Sequence, residues 1–182
     1  MKKINIAVVG LGQIGNYLLH ELNSKKKDIE LKTGKQISIV AISAKNINKR
    51  RKYKINKKLF FKNPLDIFRF KKIDILFESI GLSGGISKKV VEKAIKNKVH
   101  VITPNKALIA KHGDYLSKLA EKHKVNLEFE ASVAGGIPIL RTIKEGLATN
   151  KIFKVYGILN GTCNYILSQM EKSNNQFKEV LK

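Results

Sequence analysis

A glycine-rich turn near the start of the chain constrains the fold more than any other feature. The apolar run at residues 4–9 comes first, the sequence GLGQIG at residues 10–15 follows, and apolar residues then recur at helical spacing between residues 17 and 22. This order indicates a buried strand, a tight turn and a helix. The chain therefore begins with a strand, turn and helix in which glycines form the turn.

The spacing of Gly10, Gly12 and Gly15 matches a pattern with a known physical basis. The first glycine permits the tight turn, the second lets a pyrophosphate approach the main chain, and the third lets the helix pack closely on the strand. The amino end of the helix then faces the phosphates. A glycine turn that binds nothing is the alternative, but the position between a strand and a helix favours a dinucleotide.

Beyond this turn, short apolar runs alternate with amphipathic segments, a pattern typical of a parallel sheet with crossover helices. Strands are predicted at residues 37–42, 73–77, 99–102 and 125–129, and helical stretches around residues 90–95, 107–110 and 115–123. After a small, glycine-rich segment at residues 131–138, a helix is predicted at 139–147, a strand at 152–159 and a helix around 165–170. We predict an α/β chain: a Rossmann-type doubly wound parallel sheet over residues 1–130, followed by a partial α+β catalytic domain over residues 131–182.

The charge of the chain is strongly positive, with 36 Lys and Arg residues against 14 Asp and Glu residues and a net charge of +22. Such an excess can indicate a nucleic-acid or membrane-surface partner. Here the lysines are scattered along the whole chain and accompanied by many Ile and Asn residues, which is typical of codon bias in an AT-rich genome. We therefore expect no nucleic-acid partner.

No apolar run reaches the roughly 18–20 residues that a membrane helix needs, and no signal-peptide cleavage site follows the first residues. These absences predict a cytoplasmic protein with no membrane partner.

The single cysteine, Cys163, excludes an intrachain disulfide framework and a cysteine-cluster zinc site, and we expect it to be a small buried thiol. The four histidines show no metal-ligand spacing and receive no role.

The segment after the second predicted strand bears on the choice between NAD and NADP. An NAD site usually places a carboxylate there, whereas the 2′-phosphate of NADP attracts cations. This segment contains Lys45, Arg50 and Arg51 and no carboxylate. It favours NADP, with these three side chains near the phosphate, although NAD stays possible and the arginines could simply belong to a solvated loop.

Two further segments follow predicted strands, where the ligand crevice of a doubly wound sheet lies. Lys106, in the sequence TPNK, could direct its charge at a cofactor or a carbonyl oxygen, or be a solvated surface lysine. In the sequence GTCNY, the turn at Thr162 could offer amides and a hydroxyl to an anionic substrate. Thr162 could equally cap the following helix.

Four segments in this order, GLGQIG, TPNKALIAKHG, FEASVAGGIPIL and GILNGTCNYIL, resemble homoserine dehydrogenase, and the resemblance extends from residue 4 to about residue 170. That family interconverts L-homoserine and L-aspartate 4-semialdehyde with NAD(P), in threonine, methionine and isoleucine biosynthesis. The resemblance implies an oxidoreductase with a small-molecule substrate and a homo-oligomeric intact enzyme. The alternatives are another NADP-binding oxidoreductase of the aspartate pathway and a non-catalytic nucleotide-binding module.

The resemblance also implies roles for individual residues. Ser79 would lie near the nicotinamide ribose, Lys106 near cofactor and substrate in a supporting catalytic role, and Gly161 and Thr162 at the edge of the substrate site. The pyrophosphate would be held by Gly10, Gly12, Gln13, Ile14 and Gly15. Main-chain oxygens of Glu130, Val133, Gly135 and Ile137 would bind a monovalent cation, which is usually sodium in that family.

In that family the acidic substrate ligand and the lysine that donates the proton lie downstream of the NGTCNYI segment. We therefore expect the sequence to be an N-terminal fragment that binds cofactor with little or no turnover.

Overall fold

The computed structural model of the chain describes residues 1–158, 160–174 and 176–181. It divides into two compact units, Met1–Leu140 and Arg141–Lys182. The domain boundary predicted near residue 131 stays a prediction, because the domain of a family and a compact unit of one chain need not end at the same residue.

A six-stranded sheet forms the centre of the first unit. Its strands are β1 (Lys2–Val9), β2 (Lys35–Ser43), β3 (Phe60–Phe61), β4 (Ile75–Glu78), β5 (His100–Ile102) and β6 (Leu127–Glu128). They lie in the order β3-β2-β1-β4-β5-β6, and every neighbouring pair is parallel. This is the strand order of the Rossmann fold, so the predicted doubly wound sheet is confirmed.

Helices cover this sheet because its strands bury side chains on both faces. Along β1, Ala7 and Val9 belong to one apolar cluster, whereas Ile6 and Val8 belong to another, as the two-residue period of a strand requires. The helices of this unit are α1 (Gln13–Ser24), α2 (Lys26–Thr33), α3 (Ile67–Phe70), α4 (Ile86–Lys96) and α5 (Lys106–His123). Helices α4 and α5 pack on the first cluster and α1 packs on the second.

One helix, α5, replaces the two separate helical stretches that the sequence predicted around Gly113. Its 18 residues are continuous, with Leu108, Leu116 and Ala120 buried. A glycine inside a helix costs only about 1 kcal/mol relative to alanine. Burial of the apolar stripe on both sides of Gly113 outweighs that cost.

The second unit contains helices but, among its described residues, no strand. Helix α6 (Ile139–Arg141) begins in the last residues of the first unit and continues as a π-helical turn over Thr142–Gly146. Helices α7 (Gly161–Ser173) and α8 (Phe177–Val180) follow in the second unit. The strand predicted at residues 152–159 is wrong for residues 152–158, which are irregular, and Leu159 lies outside the described residues. A strand needs a neighbour for its main-chain hydrogen bonds, and no described segment pairs with this one.

The prediction that the chain lacks a membrane span agrees with the structure. Within the described part of the chain, every helix is too short or too polar to cross a bilayer.

Candidate cofactor-binding site

The glycine turn between β1 and α1 leaves one of its three glycines open to a ligand. Gly10 has a φ of +93°, and a Cβ at this position would collide with the main chain of Ser79. A Cβ on Gly15 would collide with the Gly10 carbonyl oxygen. A Cβ on Gly12, in contrast, would meet no atom within 4 Å. Gly10 and Gly15 are therefore required by packing within the chain, whereas Gly12 leaves its main chain open to the approach of a ligand.

Main-chain hydrogen bonds fasten this turn to the ends of both neighbouring strands. The Gly10 amide donates to the Ser43 carbonyl (2.9 Å), and the Ser79 amide donates to the Val9 carbonyl (2.8 Å). The Ser79 hydroxyl also donates to the Gly10 carbonyl, at 2.7 Å. Ser79 therefore holds the shape of the glycine turn directly, in addition to its predicted place near a nicotinamide ribose.

A groove of about 980 Å³ lies at the carboxyl ends of these strands. It opens where the strand order reverses between β1 and β4, the usual ligand position in such sheets. Five of the predicted cofactor residues line it: Gly10, Gly12, Lys45, Arg51 and Ser79. Lys49 and Lys62 line it as well, and no Asp or Glu is among its lining residues. The groove therefore combines an open main-chain turn with several cations.

Arg51 has a structural role that was not predicted for it. Its Nε donates to the Leu11 carbonyl in the glycine turn (3.2 Å). Its Nη atoms donate to the carbonyls of Asn46, Ile47 and Lys49. The guanidinium thus folds the loop after β2, residues 44–56 (the basic loop), on itself and joins it to the glycine turn, while the predicted phosphate contact stays a prediction.

A second cavity, of about 590 Å³, lies between the start of α1 and the basic loop. Gln13 and Arg50 line it, together with Asn16 and Tyr53. The buried Asn16 side chain holds the loop, since its Nδ2 donates to the Tyr53 carbonyl (2.9 Å) and its Oδ1 accepts from the Tyr53 amide (3.0 Å). Asn16 was not predicted from the sequence, although a polar residue on the buried face of α1 is the available signal.

Ile14 and Lys106, two other predicted cofactor residues, lie at helix starts and are exposed. Lys106 is the first residue of α5, and the side chain of Asn105 caps that helix by accepting from the Leu108 amide (3.1 Å). Lys106 is not among the residues that line the 980 Å³ groove.

Comparison with known proteins identifies the family. The sequence model described as homoserine dehydrogenase, NAD binding domain, matches residues 10–130, and a second model, described as homoserine dehydrogenase, matches residues 138–182. The chain belongs to the homoserine dehydrogenase family. The family predicted by resemblance is confirmed, and its NAD-binding match supports a nicotinamide dinucleotide as the cofactor.

Individual relatives agree with this assignment. The homoserine dehydrogenase of Neisseria gonorrhoeae is 40% identical over the whole chain, which covers 41% of that relative. The Bacillus subtilis enzyme is 35% identical over the whole chain, which covers 42% of it. The crystal structure of a homoserine dehydrogenase from Thiobacillus denitrificans superposes with a TM-score of 0.79 at 36% identity, over all of this chain and 42% of that one. The chain thus spans about two fifths of the length of these relatives.

The residues that the homoserine dehydrogenase resemblance assigned to substrate begin helix α7. Gly161 and Thr162 form its first turn, but the helix is capped by Asn160, whose side chain accepts from the Cys163 amide at 2.9 Å. Thr162 as the cap is therefore wrong. The expected burial of Cys163 is wrong too, because its thiol is exposed in this first turn. A cap residue holds the first turn of a helix without any need to bury the turn.

The four residues assigned to a monovalent cation lie in one tight loop at the end of the first unit. The Glu130 side chain closes it by accepting from the Leu140 amide (3.1 Å). Within it, Ala134 and Gly136 have positive φ values of 54° and 88°. The carbonyls of Glu130 and Ile137 accept hydrogen bonds from Val133 and Ile139 inside the loop. Each such carbonyl retains a second lone pair that a cation could share.

Proposed function

We propose that this chain carries the NADP-binding domain and the first part of the catalytic domain of a homoserine dehydrogenase. The activity is the interconversion of L-homoserine and L-aspartate 4-semialdehyde, in the biosynthesis of threonine, methionine and isoleucine. The bound nicotinamide supplies the chemistry by exchanging a hydride with the carbon that alternates between alcohol and aldehyde. The observation that carries the proposal is the open position at Gly12 beside a cation-lined groove.

Different residues of the chain bind different parts of the cofactor and substrate. The glycine turn presents the start of α1 to the pyrophosphate, where its free amides favour negative charge. Ser79 lies at the strand end that faces the nicotinamide ribose, and the exposed Lys106 directs its charge toward the reacting oxygen. Gly161 and Thr162 border the substrate, and the intact enzyme is a homo-oligomer.

The cations of the groove support NADP over NAD as the cofactor. Lys45 and Lys49 are exposed at the groove, and Arg50 lies next to it in the basic loop. The lysines that line the groove attract the 2′-phosphate of NADP. Because no carboxylate lines the groove, the 2′-hydroxyl of NAD has no acidic partner there.

Fluorescence titration of the chain with NADPH and with NADH tests this preference. We expect NADPH to bind at least about tenfold more tightly, since one charge-assisted phosphate contact contributes about 1.5–3 kcal/mol. Lys45→Gln should weaken NADPH about tenfold and leave NADH unchanged. Lys3→Gln, an equal charge change on exposed β1 at the other end of the strand, is the control. Equal affinities for the two nucleotides would contradict the proposal.

A substitution at Gly12 separates ligand binding from stability. Gly12→Ala should lower the free energy of unfolding by no more than about 1 kcal/mol, because its φ of −72° suits alanine and its surroundings are open, although alanine is a poorer N-cap than glycine. The added methyl group should weaken NADPH by at least about tenfold, because the pyrophosphate approaches the main chain there. Unchanged NADPH affinity would overturn the assignment of Gly12.

A monovalent cation, sodium by preference, completes the proposal at the loop of Glu130, Val133, Gly135 and Ile137. Neutral carbonyl oxygens suit a hard cation, and the positive φ values at Ala134 and Gly136 allow the tight bend. Replacing choline chloride by sodium chloride at constant ionic strength should raise the Tm of the chain. An identical Tm in both salts would contradict a sodium site.

A further inference from the structure

A fully buried carboxylate, that of Glu78, lies at the carboxyl end of β4, beside the groove. Its side chain is 0% exposed, although it is the last residue of a strand that pairs with β1 and β5. Among the residues that the structure describes, no Lys, Arg or His forms an ion pair with it. Burying an unpaired carboxylate is costly unless hydrogen bonds satisfy its oxygens.

Donors from two different loops satisfy those oxygens. The Ile80 amide donates to Oε1 at 2.8 Å, and the Thr103 hydroxyl donates to Oε2 at 2.7 Å. The Asn105 Nδ2 lies 3.4 Å from both oxygens. Ile80 belongs to the loop that follows β4, whereas Thr103 and Asn105 belong to the turn that follows β5. The carboxylate therefore joins the two loops.

Secondary contacts extend this connection to the start of α5. The Asn105 Nδ2 also donates to the Leu82 carbonyl (3.0 Å), and the Asn105 amide donates to the Thr103 hydroxyl (3.1 Å). The same Asn105 caps α5, whose first residue is Lys106. One buried group thus fixes the loop that carries Ser79 and the turn that carries Lys106.

We propose that Glu78 is a positioning residue for the nicotinamide half of the cofactor site: it fixes Ser79, which lines the groove, relative to the turn that carries Lys106. The proposal rests on the proposed NADP-binding function. Glutamine would fill this role less well, because its amide nitrogen accepts no hydrogen bond. With its oxygen on the Ile80 amide, its nitrogen would face the Asn105 Nδ2, and the Thr103 hydroxyl would lose its acceptor and have to rotate.

A pair of ligands distinguishes positioning from general stability. NADPH spans the whole groove, whereas 2′,5′-ADP lacks the nicotinamide and reaches only the glycine turn and the basic loop. We expect Glu78→Gln to weaken NADPH about tenfold and 2′,5′-ADP by less than about twofold, at a temperature where the variant is folded. Thr103→Val should also weaken NADPH more than 2′,5′-ADP. Thr103→Ser, which keeps the hydroxyl, should bind NADPH as tightly as the wild-type chain does.

The matched control is Asp74, near the other end of the same strand, which accepts from the Asn5 amide at 2.7 Å. Asp74→Asn should leave the affinities for both ligands unchanged. Equal weakening of NADPH and 2′,5′-ADP by Glu78→Gln or Thr103→Val would overturn the proposal, because a purely structural role predicts that result. Unchanged NADPH affinity in both variants would overturn it as well.

Hydrogen–deuterium exchange without ligand supplies a test that is independent of the cofactor. In Thr103→Val, peptides covering residues 79–85 and 103–108 should exchange at least about tenfold faster, while β1 and β2 keep their rates. If the wild-type chain binds neither nucleotide, the proposed function fails, and this exchange pattern still decides whether Glu78 holds the two loops. Unchanged exchange in both peptides would overturn the positioning role.

Discussion

The two units of the chain differ in the contacts that stabilise them. In Met1–Leu140, strands and helices share buried side chains such as Val8, Leu76 and Val101. In the described part of Arg141–Lys182, Ile166 is the one buried apolar residue, while Phe153 and Tyr156 are 85% and 87% exposed. The first unit is therefore stabilised by a common core, and the second by contacts between residues close in sequence, such as its helix cap and the pair of Arg141 with Glu145.

The largest expected effect comes from truncating one large apolar residue in each unit. Leu76→Ala should lower the free energy of unfolding by about 3 kcal/mol, because it leaves a cavity in a fully packed core. Phe153→Ala removes more atoms from an exposed side chain and should change it by less than about 0.5 kcal/mol. Urea unfolding of both variants measures the difference. A similar loss in the two would show that the second unit has a core of its own.

Two asparagines that both cap the amino end of a helix provide the next test. Asn105 caps α5 and Asn160 caps α7, each by accepting an amide hydrogen bond three residues ahead. Asn105→Ala should lower the free energy of unfolding by about 2–3 kcal/mol, because the Leu82 carbonyl also loses the hydrogen bond from the Asn105 Nδ2. Asn160→Ala should cost about 1 kcal/mol, since only the cap is lost. Urea unfolding and helicity by circular dichroism measure these costs, and Asn160→Ser, which keeps a cap, is the control. Equal costs would mean that burial adds nothing to the cap in α5.

The same difference between local and distant contacts explains what the sequence could predict. Strand β1, the glycine turn and α1 follow one another in sequence, so periodicity and glycine spacing were enough to predict them. Residues 152–158 have the composition of a strand, but strand formation depends on a neighbour that a local pattern cannot reveal. The helical stretches predicted around residues 107–110 and 115–123 are one helix, α5, because its buried apolar stripe outweighs the cost of Gly113 between them.

The candidate site shows the same limit. The glycines of the turn were found because their function depends on local backbone geometry. The roles of Arg51, Asn16 and Glu78 depend on partners that lie 25 to 40 residues away in sequence. Glu78, in particular, looks like an ordinary charged residue at a strand end. Only the packing of β4 beside β5 places the Thr103 hydroxyl against it.

Two irregular segments with trypsin sites allow a finer comparison. The basic loop is held by Arg51 and by the contacts of Asn16 with Tyr53, whereas residues 152–158 form no regular structure. Limited digestion with trypsin should therefore cleave after Lys151 and Lys154 before it cleaves the loop at residues 49–54. Asn16→Ala should speed cleavage in the loop by about tenfold, as expected for the loss of one or two hydrogen bonds. Cleavage after Lys151 should keep its rate. Faster cleavage of the wild-type basic loop than of Lys151 would contradict the holding role of these contacts.

The smallest effect is expected from the surface ion pair of Glu21 and Lys25 at the end of α1. The Lys25 Nζ and the Glu21 Oε2 lie 2.6 Å apart. The hydrogen bond from Lys25 lowers the pKa of Glu21 from its ordinary value of 4.5. A lowered pKa in the folded state contributes stability above pH 4.5, and this contribution is lost as the pH falls through the lowered pKa. Because both side chains are solvated, Glu21→Gln should remove this slight acid dependence of Tm and leave Tm at pH 7 almost unchanged. A Tm loss at pH 7 as large as that of Leu76→Ala would mean that surface pairs, and not the shared core, make the first unit different from the second.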